Sequence, residues 1–243
     1  MEDQKKTQAG RFEVAFNRIH RCLKEMVGGA GSDAFVELLN YGYKNHSIIR
    51  KHKNELYQFA KLRNAIVHEK VNEDYYIAEP HKTVVKRIEE IAAQFEKPPL
   101  ASSIASAPVF YYYEDALLKD VLKAINKFEF TRFPIYSRNG DYKGLLTSSD
   151  IIRWMAKQRT STSNTISLED VNISGLLNGR KKYYVDFLAE EMSIYDVEEL
   201  FDKYHTQDKK LQAIILTENG EANSKPKAII TPWDLLDPEP NVD

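Results

Sequence analysis

The chain reads as an α+β protein of two domains, an N-terminal helical bundle followed by a tandem pair of α/β repeats. Three observations carry this reading. Residues 1–97 of the 243 hold helix-period apolar patterns and no strand-like run. The stretch KPPLASS, 97–103, then ends those patterns, because its two prolines cannot continue a helix. Beyond it, short β-rich runs recur in two copies, each with an Asn-Gly turn and a Thr-x-x-Asp sequence.

The helical part divides into four segments. An amphipathic pattern runs from about Arg11 to Val27 and stops at Gly28-Gly29; a second begins at Ser32, a good N-cap, and reaches Tyr41-Gly42. A long third stretch covers about Lys44 to Glu69. A fourth begins near Pro80, a residue suited to a first helical turn, and carries Val84, Val85, Ile88, Ile91 and Phe95 at helical spacing.

After the break come the runs PVFYYY (108–113), FPIYS (133–137), YKGLL (142–146), AIILT (213–217) and KAII (227–230). They repeat. RFPIYSRNGDYKGLLTSSDII (132–152) matches LQAIILTENGEANSKPKAIITPWDLL (211–236) as strand, Asn-Gly hairpin, strand, Thr-x-x-Asp and helix. Each copy is preceded by a helical stretch, about Ala116 to Phe128 and about Ser193 to Tyr204. The domains are therefore 1–97, 98–160 and 161–243.

Composition narrows the classes of function. Apolar residues make up 42% and charged residues 29%, a globular balance. Cys22 is the only cysteine, which excludes an intrachain disulfide and a Cys-based zinc site. No run approaches the roughly 18 apolar residues of a membrane span, and the polar start MEDQKKTQAG lacks a signal core, so no membrane association and a cytoplasmic location are expected. Net charge is −2, with 17 Lys+Arg against 14 Asp+Glu in residues 1–97 and 17 against 22 in the rest. GxxxxGK, HExxH and GxSxG are all absent from the sequence.

TSSD (147–150) and TPWD (231–234) have the form of capping boxes, with Pro232 at the first helical position. The same geometry also suits a nucleotide, since a strand turning into a helix aims free N–H groups at an anion while the acid accepts from ribose hydroxyls. With the hairpins around them, GLLTSSD and AIITPWD resemble a pair of CBS domains, a Bateman module, over about residues 100–238. The resemblance implies a regulatory adenine nucleotide, AMP, ADP, ATP or a related compound. By position Thr147 and Asp150 would serve one site, Thr231 and Asp234 the other, and Arg132 would meet phosphate. The second copy departs from the family pattern at Ala213, Ala228 and Trp233, which points to the first as the tighter site. Tyr111, Tyr112 and Tyr113 suggest a strand with alternate rings buried, or one ring stacked on adenine.

KLRNAIVHEK (61–70) poses a separate question. At roughly 100° per residue, Arg63 falls inside the apolar arc of Leu56, Phe59, Leu62 and Ile66, while Asn64 and His68 stack at its edge. A guanidinium there needs a partner, such as Glu37 or Glu89, or a bound anion. The nearby Lys44, His46, Arg50, Lys51, His52 and Lys53 read as a solvated face or a phosphate track. RNAIVH (63–68), late in a helical bundle, resembles the Arg-x4-His signature of HEPN domains over about residues 10–96. That resemblance implies Arg63, Asn64 and His68 as a catalytic set cutting single-stranded RNA without metal, at a site formed by a homodimer. The guanidinium would stabilise phosphorane charge and the imidazole would move protons.

Three readings follow: a nucleotide-sensing regulator in which the paired repeats control the helical domain, an endoribonuclease gated by those repeats, and a scaffold with neither activity.

Overall fold

The computed structural model describes residues 7–28, 31–68, 78–158, 168–177 and 183–236. In chain order its helices are α1 (Gln8–Met26), α2 (Phe35–Gly42), α3 (Ser47–His68), α4 (Lys82–Glu96), α5 (Leu118–Phe128), α6 (Ser148–Gln158) and α7 (Ile194–Thr206). The strands are β1 (Tyr112–Tyr113), β2 (Arg132–Tyr136), β3 (Tyr142–Thr147), β4 (Tyr183–Ala189), β5 (Lys210–Thr217) and β6 (Ala228–Ile230). The chain forms two compact units, Met1–Pro99 with Ser193–Glu199, and Leu100–Met192 with Leu200–Asp243. The expected boundary between 160 and 161 lies outside the described residues.

The helical unit is built on α1 against α4, with α2 and α3 completing the core. Phe12, Ile19, Leu23, Leu39, Ile49, Leu56, Ile66, Ile88 and Ile91 are fully buried. Phe16 stacks on Phe35 with ring centroids 4.3 Å apart, and Phe12 meets Phe59 edge-on at 5.9 Å. Gly42, the last residue of α2, makes room for Ile49, since a Cβ there would come within 2.3 Å of Ile49 Cδ1. Two helix starts differ from expectation. Ser32 accepts from Ala34 N–H at 3.1 Å but is not the N-cap of α2, whose cap position is Ala34. Pro80 precedes α4 instead of opening it, since His81 holds the cap and accepts from Thr83 N–H.

The segment Ser193–Glu199 is part of this unit. Tyr195 is buried in its core, its hydroxyl donating to Gln94 Oε1 at 2.9 Å and its carbonyl accepting from Ser47 Oγ at 3.1 Å. Burial pushes the Tyr195 phenol up to about 12 and raises the Glu199 carboxyl, which accepts from Ser47 N–H at 3.0 Å. His52, 2% exposed, bonds Gln94 Oε1 through Nε2 at 3.0 Å, so it does not belong to the surface basic cluster in which its sequence neighbours place it. Arg87 grips Glu55 with two N–H groups at 2.7 and 3.0 Å and holds that carboxyl below its ordinary range.

The second unit contains two sheets of one topology. In β1-β2-β3 and in β4-β5-β6 the first pair is parallel and the second antiparallel. This is the expected repeat, with Gly140 and Gly220 at φ 90° and 78° in the hairpin turns. Three expectations need correction. The strand expected over 108–113 is only Tyr112–Tyr113; Tyr112 packs on Phe133 of the core while Tyr111 and Tyr113 meet each other at 6.0 Å, and none of the three is fully buried. Tyr183–Ala189 forms a strand where none was expected. After TPWD the chain makes a 3-10 turn over Pro232–Leu235 in place of an α-helix.

Candidate functional site

Both Thr-x-x-Asp sequences form capping boxes. Asp150 Oδ2 accepts from the N–H and hydroxyl of Thr147 at 3.0 and 2.6 Å, and Thr147 Oγ1 accepts from Asp150 N–H at 3.2 Å. Asp234 Oδ2 accepts from the N–H and hydroxyl of Thr231 at 2.6 and 2.8 Å. Ser193 and Asp196 repeat the pattern at the start of α7, at 2.7 and 2.5 Å. Capping therefore explains the motif wherever it occurs, and a binding role needs further observations.

The surroundings of Thr231 supply them. Ser106 and Ile229 exchange backbone hydrogen bonds of 2.9 and 3.1 Å, and Val109 N–H reaches Lys227 O at 3.4 Å. The segment leading into the first repeat thus runs along β6 of the second. It brings Pro108, Val109 and Phe110 opposite Thr231 and Asp234 across a cavity of about 170 Å³, whose wall includes Glu129, Phe130, Arg132 and Ile229. Phe110 is braced by Phe128 and Phe130, with ring centroids at 4.7 and 5.3 Å. Its lining combines apolar residues with polar and charged ones. Asp234 Oδ1 accepts no hydrogen bond from the described residues, whereas Asp150 Oδ1 is taken by Arg153 at 3.2 Å.

Arg132 sits at the start of β2, paired in register with Thr147. Its Nη1 donates to Thr131 Oγ1 at 3.2 Å, while its Nε is buried with no partner among the described residues. A buried unpaired guanidinium N–H is costly and suits an arriving anion. Arg132 also lines a second cavity of about 80 Å³, together with Thr131, Thr147, Ser148, Ser149 and Gln212.

Of the expected nucleotide residues, Arg132, Thr231 and Asp234 share the larger cavity and Thr147 meets Arg132 at the smaller one. Asp150 lines neither cavity. No tyrosine of 111–113 lines the larger cavity; the aromatic residues there are Phe110 and Phe130. Sequence reasoning missed Pro108, Val109, Phe110, Glu129 and Gln212. The repeat does single out Gln212, which stands 80 residues after Arg132, the spacing of the two turn glycines.

In the helical unit, Arg63 is half-buried and Asn64 exposed, and the side chain of His68 lies outside the described residues. Among the described residues neither Glu37 nor Glu89 is bonded to Arg63, and Glu89 is held by Arg11 at 2.9 and 2.6 Å. Arg63 Nε is buried and without a partner among the described residues. Among those residues no group of three or more His, Cys, Asp or Glu is placed to hold a metal ion, and no helix is long and apolar enough to cross a membrane.

With this geometry the comparisons with known proteins agree on one region. Residues 101–157 match the CBS domain family. The C-terminal unit is therefore described as a pair of CBS-type repeats, the second recognised by its identical strand order. Among solved structures, the CBS domain pair of protein MJ0100 in complex with 5′-methylthioadenosine and S-adenosyl-L-methionine is 18% identical, with a TM-score of 0.40, covering 56% of this chain and 92% of that one. The CBS domain of the bacterial CNNM/CorC family Mg2+ transporter in complex with ATP is 15% identical, with a TM-score of 0.40, covering 62% and 94%. CBSX2 in complex with AMP is 12% identical, with a TM-score of 0.36, covering 57% and 88%. No curated protein matches the sequence, and the helical unit is not assigned to a family.

Proposed function

We propose that the CBS-type pair is a regulatory sensor that binds an adenine nucleotide in the 170 Å³ cavity and controls the helical unit. The observation that carries this reading is the convergence there of three features: the Pro108–Phe110 wall, the open Oδ1 of Asp234 and the unpaired Nε of Arg132. The apolar wall suits a base, the carboxylate accepts from ribose hydroxyls and the guanidinium takes phosphate. Thr231 positions Asp234 for that contact. Calorimetry with adenosine, AMP, ADP, ATP, S-adenosylmethionine and 5′-methylthioadenosine tests it. Binding by at least one of these, lost in Asp234→Ala, is the expected result; silence from all six removes the reading.

A second reading gives the helical unit metal-independent cleavage of single-stranded RNA through Arg63, Asn64 and His68. The buried Nε of Arg63, without a partner among the described residues, favours it, because a guanidinium so placed suits an anion. RNA cleavage assayed in EDTA, with and without AMP, tests both the activity and its regulation. Folded Arg63→Ala and His68→Ala proteins that cut as fast as the wild type refute it. A homodimer belongs to the same proposal. Its support is that Ile152 and Leu236, 84 residues apart and equivalent in the two repeats, are 66% and 74% exposed. Light scattering that shows a monomer at all concentrations excludes the dimer.

A further inference from the structure

We infer that the face shared by α2 and α3 of the helical unit is a docking surface for a single-stranded polynucleotide, whether or not that unit cuts it. Residues 41–64 hold six Lys and Arg against one acid, Glu55, in a chain whose net charge is −2. That acid lies about 200° round α3 from Lys53 and is gripped by Arg87 at 2.7 and 3.0 Å. It therefore leaves the charge of the Lys53 side uncancelled.

Two helical rows build the surface. On α3, Lys53, Tyr57, Lys61 and Asn64 recur at intervals of four, four and three residues and share one side of the helix over roughly 16 Å. On α2 and the residue that follows it, Val36, Asn40 and Tyr43 recur at intervals of four and three. Two contacts join the rows. The Tyr57 hydroxyl donates to Asn40 Oδ1 at 2.6 Å, and the Lys53 ammonium stands 3.7 Å from the centre of the Tyr43 ring and 5.9 Å from that of Tyr57. Glu37, the acid of α2, falls about 100° beyond Val36 and off its row. Arg50, at the start of α3, is offset by Glu199 and adds less to the surface.

Cations thus alternate with rings, the combination a single strand needs, since ammonium groups meet its phosphates and aromatic faces meet its unpaired bases. Tyr43 keeps 41% of its surface exposed with the ammonium on it, and Val36 keeps 38%, area that bases can cover. Held between two rings, the Lys53 ammonium is already ordered, so meeting a phosphate costs it little further freedom. An acidic peptide would use the charge alone, and a duplex keeps its base faces stacked inside.

The probe is a labelled single strand of about 12 nucleotides carrying 2′-O-methyl groups, which cannot be cut through its own 2′-oxygens, followed by fluorescence anisotropy on the full chain in EDTA. It is expected to bind, with a duplex of the same length and a polyglutamate of the same charge each at least tenfold weaker. Tyr43→Ala is expected to weaken binding about tenfold. Lys53→Ala combined with Lys61→Ala is expected to weaken it and to lower the slope of log affinity against log salt by about 1.4, or about 0.7 for each phosphate contact. Lys61→Glu, at an exposed position, is expected to weaken it too and guards against a folding defect in the others, while Lys86→Ala, exposed on α4, leaves it unchanged. Absence of binding by the wild type at low salt overturns the inference, as does equal affinity for duplex or polyglutamate, or an affinity that survives both Tyr43→Ala and Lys61→Glu. Binding of this probe by a protein that leaves unmodified RNA intact keeps the inference and removes the ribonuclease reading. Cleavage of unmodified RNA, with binding unchanged in the folded variants, does the reverse.

Discussion

Thr147 with Asp150 and Thr231 with Asp234 make the same hydrogen bonds at equivalent points of two repeats, yet their acids are left in different states. Asp150 spends its second oxygen on Arg153, one turn further along α6. Asp234 stands on a 3-10 turn with exposed Trp233 beside it and keeps its second oxygen open to the larger cavity. The charge at the equivalent strand position differs as well, with Arg132 in the first repeat and neutral Gln212 in the second. A shared motif therefore fixes a local turn, and what surrounds the turn decides whether the acid is available to a ligand. Our proposal places the ligand at the second repeat's acid, against the ranking suggested by the departures at Ala213, Ala228 and Trp233, in which the first repeat holds the tighter site.

The largest expected effect breaks or keeps that ranking. Asp234→Ala should weaken nucleotide binding at least tenfold, about 1.4 kcal/mol, while Asp150→Ala should change it less than threefold. Calorimetry on both proteins decides, and the opposite order restores the first repeat as the principal site. In stability the same pair should reverse. Asp150→Ala removes the reciprocal cap of a full helix and the Arg153 contact, for about 1 kcal/mol, whereas Asp234→Ala caps only a four-residue turn and should cost about half as much. Urea midpoints measure this.

A smaller effect separates the repeats at the ends of their central strands. Tyr136 OH and Thr217 Oγ1 are both buried without a partner among the described residues. Tyr136→Phe and Thr217→Val should each stabilise the protein by about 1 kcal/mol, since an unpaired buried hydroxyl is a net cost. Burial also pushes the Tyr136 phenol up to about 12. Its folded pKa lies above the unfolded value of about 10, so its neutral form favours the fold fully below pH ~10 and that contribution is lost as pH rises through ~12. Tyr136→Phe should flatten the loss of stability in that window, and Thr217→Val should leave it unchanged. Equal alkaline sensitivity of the wild type and Tyr136→Phe rules this out.

The features legible in sequence were those written locally. Helical periods, the Asn-Gly hairpins, both capping boxes and the repeat itself all depend on residues within a few positions of one another. Ser32 and Pro80 misled by two residues each because several polar or Pro-led starts compete at a helix end, and packing chooses among them. The strand Tyr183–Ala189 follows a basic stretch and its partner lies 27 residues further on, so neither side announces the other. The cavity was illegible for the same reason on a larger scale. Pro108 and Asp234 meet only because Ser106 pairs with Ile229, more than 120 positions away, and no local pattern encodes that pairing. The charge of the site was partly readable, since Arg132 and Asp234 stand out by type, but Glu129 and Gln212 become informative only once each lines a cavity with Arg132.

The pairing of the 106–109 segment with β6 has a consequence for how this protein is divided. The unit that is repeated is not the unit that closes the larger cavity. Cutting between the copies would strip β6 of its neighbour and expose a bare strand edge of the kind that seeds aggregation, while the other fragment would keep Pro108–Phe110 with nothing to face. Neither half alone would keep both walls of that cavity, so the two copies are to be expressed and engineered as one module.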